Sequence, residues 1–188
     1  NVGKVLGDMG QFTEALHAFQ KAFDVDQRDA HAHHGKGLCL SGLQRYDEAL
    51  ACFGEAVAAD PDYADALINK GMLLASMGHK DQALDALRRS TEMPDTSSNT
   101  RHVALNGIAG ICLDRGEIEE AHGRLTEALR IKPDYVDALI NMSVVHNNMA
   151  VGGDDDALHA ALEYAERACT IEPENPRCRE ARGFALGN

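Results

Sequence analysis

The chain has 188 residues, about one ordinary domain, and 44% of them are hydrophobic, enough for a sizeable core and too many for a disordered tail. Aromatic residues make up only 5% and tryptophan is absent, so the core has to come from Ala, Leu, Ile, Val and Met, a mixture that favours helices over sheets. With 18 Lys and Arg against 30 Asp and Glu, the formal net charge of -12 repels phosphate backbones and makes nucleic acid and anionic membranes poor partners.

Residues 1–10 (NVGKVLGDMG) lack an apolar signal core and do not begin with Met, so the chain reads as part of a longer protein. No stretch approaches the ~18 uninterrupted apolar residues of a membrane span. The phrase EALHAFQKA begins at Glu14; related phrases begin at Glu48, Gln82, Glu120 and Ala160. Their aligned alanines are Ala15, Ala49, Ala83, Ala121 and Ala161, equally spaced over the first three and slightly further apart after that. A second phrase, Asp62-Tyr-Ala-Asp-Ala-Leu-Ile-Asn69, returns two copies later as Asp134-Tyr-Val-Asp-Ala-Leu-Ile-Asn141, each time following a proline. A repeat of this period decides the fold before any single residue does.

Within each copy the apolar residues recur at i, i+3, i+4 and i+7, the stripe of an amphipathic helix. Asp62 and Asp134 are read as N-caps of the helices that follow them. Turns such as Met77-Gly78 and Arg115-Gly116 separate two helices per copy, and the second helix ends before Pro61, Pro94, Pro133 or Pro173. One such hairpin cannot bury its stripe alone, so consecutive hairpins have to stack. The expected organisation is a single all-α domain over 1–188: a partial repeat at 1–29, repeats at 30–63, 64–101, 102–135 and 136–175, and a terminal helix at 176–188. Insertions around 96–101 and 150–155 lengthen two of the spacings.

The period and its small residues resemble the tetratricopeptide repeat (TPR) family. In the 30–63 copy the signature slots hold Gly37, Leu40, Tyr46, Ala49, Phe53, Ala56 and Pro61; no copy has the family's Trp, and Gln27 stands in the first Pro slot. The resemblance implies a right-handed α-solenoid of stacked helix-turn-helix hairpins that binds peptide segments of partner proteins in its concave groove.

Motifs with chemistry are weak by comparison. His31 and His34 share a helical face, but no complete metal shell accompanies them; they are read as groove residues and His33 as packing. Gly35-Lys36-Gly37 sits inside a helix rather than in a phosphate loop. The run from Gly152 to Asp156 reads as a turn and N-cap for a long helix at about 155–171. The five scattered cysteines form no CxxC and read as reduced core residues, which favours the cytoplasm. No catalytic residue, metal site or cofactor is assigned, and the chain is read as non-enzymatic.

The residues that packing does not need carry the function. In the family's register the groove is lined by His34, Leu38, Asp65, Ile68, Asn69, Met72, Asn106, Asp137, Ile140, Asn141, Val144 and Asn148. The mixture of amides, acids and apolar side chains suits a peptide with basic or apolar residues. Two alternatives stand beside this scaffold reading. The chain could be the repeat region of a larger enzyme resembling the O-linked N-acetylglucosamine transferases, whose repeats carry Asn at the place of Asn69 and Asn141. It could also be a structural module that self-associates through its repeat ends. Some relatives in the family grip a terminal carboxylate with paired groove cations, whereas Lys4 is the only Lys or Arg at the groove slots of this chain. Acidic chaperone tails are therefore expected not to bind, and a salt-sensitive micromolar titration with such a tail would contradict this.

Overall fold

The computed structural model describes residues 2–25, 28–93, 100–150 and 154–187, and these are helical throughout apart from turns. The helices are α1 (Val2–Asp8), α2 (Phe12–Val25), α3 (Ala30–Gly42), α4 (Tyr46–Ala59), α5 (Ala64–Ser76), α6 (Lys80–Glu92), α7 (Arg101–Arg115), α8 (Ile118–Ile131), α9 (Val136–Met149), α10 (Asp155–Ile171) and α11 (Pro176–Ala185). They gather into two compact units, Asn1–Thr100 and Arg101–Asn188. Unit 1 stacks the hairpins α1/α2, α3/α4 and α5/α6; unit 2 stacks α7/α8 and α9/α10 with α11 packed on the latter.

Each hairpin closes at its aligned alanine. Ala15, Ala49, Ala83, Ala121 and Ala161 are all 0% exposed, so each second helix presents only a methyl group at these fully buried positions. Opposite them the first helix offers a small residue to a large one: a Cβ on Gly37 would lie 2.6 Å from the Phe53 ring, and one on Gly71 2.7 Å from Leu87. Between hairpins, α3 touches both α1 and α5, and α9 touches α7 and α11. The first helices therefore form the closer row of each unit, and that row makes the concave side.

The helix ends show why the chain turns where it does. α4, α8 and α10 stop shortly before Pro61, Pro133 and Pro173, as the prolines require; Pro94 lies outside the described residues. Asp154 caps α10 by accepting from Asp156 N and Ala157 N at 3.1 and 3.2 Å, while Gly152 and Gly153 lie outside the described residues. Asp29 caps α3 and Asn175 caps α11 in the same manner. Asp62 and Asp134 do not cap, contrary to the sequence reading: the N-cap positions of α5 and α9 are Tyr63 and Tyr135, with no side-chain cap bond. Asp62 belongs instead to the preceding turn, its N–H donating to Asp60 Oδ1 at 3.1 Å.

The hairpin turns need a left-handed residue, and Gly78 (φ 84°) and Gly116 (φ 75°) supply it. In the 30–63 repeat the same place is held by Gln44 at φ 60°, with its N–H on Ser41 O as Gly78 N is on Ala75 O. A side chain there costs about 1–2 kcal/mol of strain, partly offset by the greater chain entropy of glycine. Gln44→Gly is thus expected to stabilise the protein by about 0.5–1 kcal/mol, read as a rise in Tm.

Candidate functional site

The concave row of unit 1 is organised around His34. Tyr63, held outside the helix at the start of α5, places its hydroxyl 2.9 Å from His34 Nδ1. Asn69, further along α5, places Nδ2 2.8 Å from His34 Nε2. The amide N–H donates, so Nε2 accepts and Nδ1 carries the proton given to Tyr63. His31 and His34 both pack edge-on to the Tyr63 ring, at centroid distances of 4.9 and 5.0 Å. Beside this clasp Asp65 accepts from the Thr100 hydroxyl at 2.8 Å.

Unit 2 repeats the arrangement at the second copy of the phrase. Asn141 Nδ2 donates to Asn106 Oδ1 at 2.9 Å, and Asn106 also hydrogen-bonds the Tyr135 hydroxyl. An Asn amide offers an acceptor and a donor in the places of imidazole Nε2 and Nδ1, which is why His34 and Asn106 do the same work. His102 packs edge-on to Tyr135 at 4.7 Å, and Arg177 pairs with Asp137 at 2.6 Å. In both units a tyrosine, a polar residue of the previous repeat and an asparagine tie neighbouring first helices together.

Measured against the sequence reading, the structure sorts the groove residues into three groups. Leu38 (44% exposed) and Met72 (39%) are large apolar side chains open to solvent on α3 and α5. His34, Asp65, Asn69, Asp137, Asn141 and Val144 are half-buried. Ile68, Asn106 and Ile140 are buried, at 4%, 8% and 4%, so the expectation that they line the open surface is corrected: the two isoleucines pack beneath it and Asn106 is locked in the clasp. Asn148 is exposed but spends an N–H on Val144 O of its own helix, at 2.8 Å. The sequence reading missed Tyr63 and Tyr135. Both stand in the one phrase that recurs almost unchanged, at a position where packing alone has no use for a phenol.

His33 lies in the core at 5% exposure, against the Glu55 carboxylate (2.9 Å) and the Phe23 ring. Both ring nitrogens of His34 are engaged by protein, one by the Tyr63 hydroxyl and the other by the Asn69 amide. Among the described residues one group of three side chains with metal-ligand atoms converges: Cys112, Glu117 and Glu120, with those atoms within 4.8 Å of one another. Glu120 there is ion-paired with Arg124. No helix of the described residues is long and apolar enough to cross a membrane.

Electrostatics follow from burial. Burial pushes the Tyr63 phenol up to about 12, helped by Asp65, Asp29 and Asp60, so it stays a neutral hydroxyl in the clasp. Burial also holds His34 below the ordinary histidine value; Asp65 opposes this and His31 adds to it. The unfolded chain therefore takes up this proton first as pH falls through about 6.5, and stability is lost from there down to the folded value. His34→Asn, which copies Asn106, is expected to keep the clasp and remove that loss. Its Tm should fall less than the wild type's between about pH 7.5 and pH 5.5, and His146, also depressed by burial, contributes to the loss that both proteins share. Equal losses in the two proteins would refute the assignment.

The comparisons with known proteins agree with this architecture. The tetratricopeptide repeat family matches residues 28–95 and, in a second sequence form, residues 3–50. The coatomer epsilon subunit family matches residues 73–170, just over half of the chain, so that stretch carries its sequence pattern as well. No curated protein matches at a significant level. Among solved structures, YrrB, a TPR protein with an unusual peptide-binding site, has a TM-score of 0.68 at 22% identity, over 96% of this chain and 88% of its own. PilW, a type IV pilus biogenesis factor, has a TM-score of 0.78 at 17% identity, over 100% and 87%. MamA has a TM-score of 0.72 at 18% identity, over 93% and 96%. At these identities the structures share the fold, and with the family matches and five buried repeat alanines the conclusion is that the chain belongs to the tetratricopeptide repeat family.

Proposed function

We propose that the chain is a non-enzymatic protein-interaction scaffold whose first-helix rows bind peptide segments of a partner protein. The observation that carries this reading is the alignment of Lys4, Leu38 and Met72, which occupy the same slot of successive repeats and are all exposed on the concave row of unit 1. Leu38 and Met72 keep 44% and 39% of their surface in solvent, an unusual share for large apolar side chains, and they repeat in register beside a polar clasp. Asn69 and Asn141 each commit one N–H to the clasp, which leaves an amide oxygen and a second N–H for a peptide backbone. Asp65, half-buried on the row of unit 1, favours segments with basic residues, as Asp137 does in holding Arg177 within unit 2. The peptide-binding site named for YrrB supports the same use of this fold.

A second reading has its own observation. Phe184 is 70% exposed on α11 and Leu186 55% exposed just after it, a surface suited to self-association. Light scattering that returns the mass of one chain across a concentration series would remove it.

Affinity capture with the folded protein, followed by titration of the captured segment, tests the main reading. Leu38→Ser together with Met72→Ser should weaken binding by about 1–2 kcal/mol while the helical fold is retained, with a fall in Tm that reflects the covered part of each side chain. Asn69→Ala and Asn141→Ala should also loosen the clasps, costing the fold about 1 kcal/mol each. Undiminished affinity in the Leu38, Met72 double variant would overturn the reading.

A further inference from the structure

We propose that unit 1 holds its peptide by an aromatic anchor: a Trp or Tyr side chain inserted between α1 and α3, with a basic residue of the same segment on Asp65 and an acidic one on Lys4. The inference rests on the peptide-binding reading above and names the chemistry of the segment.

The concave side of unit 1 contains a cleft of about 510 Å³ bounded by α1, α3 and α5. Its floor comes from an unexpected place. Phe12 and Phe19 belong to α2, a second helix, and they reach the cleft because the first helices carry glycine above them. A Cβ on Gly35 would lie 2.3 Å from the Phe19 ring, one on Gly3 2.9 Å from the same ring, and one on Gly42 2.6 Å from Phe12. One repeat later Asn69 stands in the place of Gly35, and Phe53, which corresponds to Phe19, is 1% exposed. Glycine at 35 thus removes a side chain from the concave surface and uncovers a ring. Around Gly7, which also lines the cleft, a Cβ would meet nothing within 4 Å, so the α1 wall is open.

The surrounding chemistry selects the guest. The His34 and Tyr63 rings and the exposed Leu38 side chain complete a slot whose walls are mostly flat and apolar. Edge and face contacts with such rings favour an aromatic side chain over an aliphatic one of similar area. His34 and the Tyr63 hydroxyl are committed to each other, which leaves the Asp65 carboxylate as the charged acceptor at that end. Lys4 on α1 and Asp65 on α5 flank α3, so the two sides of the cleft carry opposite charge. A segment with unlike charges on either side of its ring complements both.

The protein has no tryptophan, so the indole emission of an added peptide reports entry into the cleft. The probes are Gly-Glu-Gly-Trp-Gly-Lys-Gly, the same peptide with Glu and Lys exchanged, and a version of each with Ala for Trp, the latter used as competitors. One charge order should give a saturable blue shift, its Ala version should compete roughly tenfold less well or worse, and Leu38→Ser should weaken the Trp peptide roughly tenfold. Gly35→Asn, checked for retained helicity, should abolish the shift by filling the slot. The surface variant Leu38→Ser keeps the test valid if Gly35→Asn does not fold. No saturable shift with either charge order, an Ala version that competes equally, or a shift indifferent to Leu38→Ser each overturns the anchor. In those cases a captured partner that still loses affinity on Met72→Ser leaves the broader groove reading standing, and one that does not removes both.

Discussion

The close crossing of paired helices at Ala15, Ala49, Ala83, Ala121 and Ala161 sets the terms for everything else, because a methyl group at each crossing allows a backbone separation that any larger side chain would prevent. With the helices that close, the facing slot must be small as well. Gly37, Gly71, Ala109 and Ser143 fill it in successive repeats, and Phe53 and Leu87 fit against the two glycines. The apolar demand of each hairpin is met between its own helices and the next hairpin, so the solvent side of the first helices is released from packing. That release is what makes Leu38 and Met72 informative.

A second layer of order is polar. Successive first helices are joined by tyrosine, then His34 or Asn106, then asparagine, and each donor meets an acceptor at 2.8–2.9 Å where distances are defined. Half-buried polar groups satisfied in this way do not carry the penalty of unpaired ones, and they fix the angle between neighbours more tightly than apolar contact does. The same residues border the surface offered to a partner. Recognition and stacking therefore share atoms, and the neutral state of His34 matters to both.

Much of this was legible in the residues. The alanine spacing located five hairpin crossings, and every one is fully buried. Asp154, as a turn residue before a long amphipathic run, reads correctly as a cap because that rule depends only on local backbone geometry. Asp62 and Asp134 satisfied the same rule on paper and failed it, since each directly follows its proline and the turn runs on through the tyrosine before α5 and α9 begin. Tyr63 and Tyr135 escaped notice because their partners lie in the preceding repeat, beyond the reach of any helical periodicity.

By itself, the sequence determined the all-helical repeat, the place of each crossing and the set of residues on each first-helix face, because these follow from the repeat period and the pitch of the helical turn. Which members of that face remain open was decided only in three dimensions. Ile68 and Met72 lie one turn apart on the same helix, yet one is buried at 4% exposure and the other stands in solvent at 39%. Phe19 belongs to the opposite helix row and still reaches the concave side, because two glycines far apart in the chain are brought over its ring. Periodicity assigns a direction to a side chain; the distance to its neighbours, which sets what it can touch, exists only once the helices are packed.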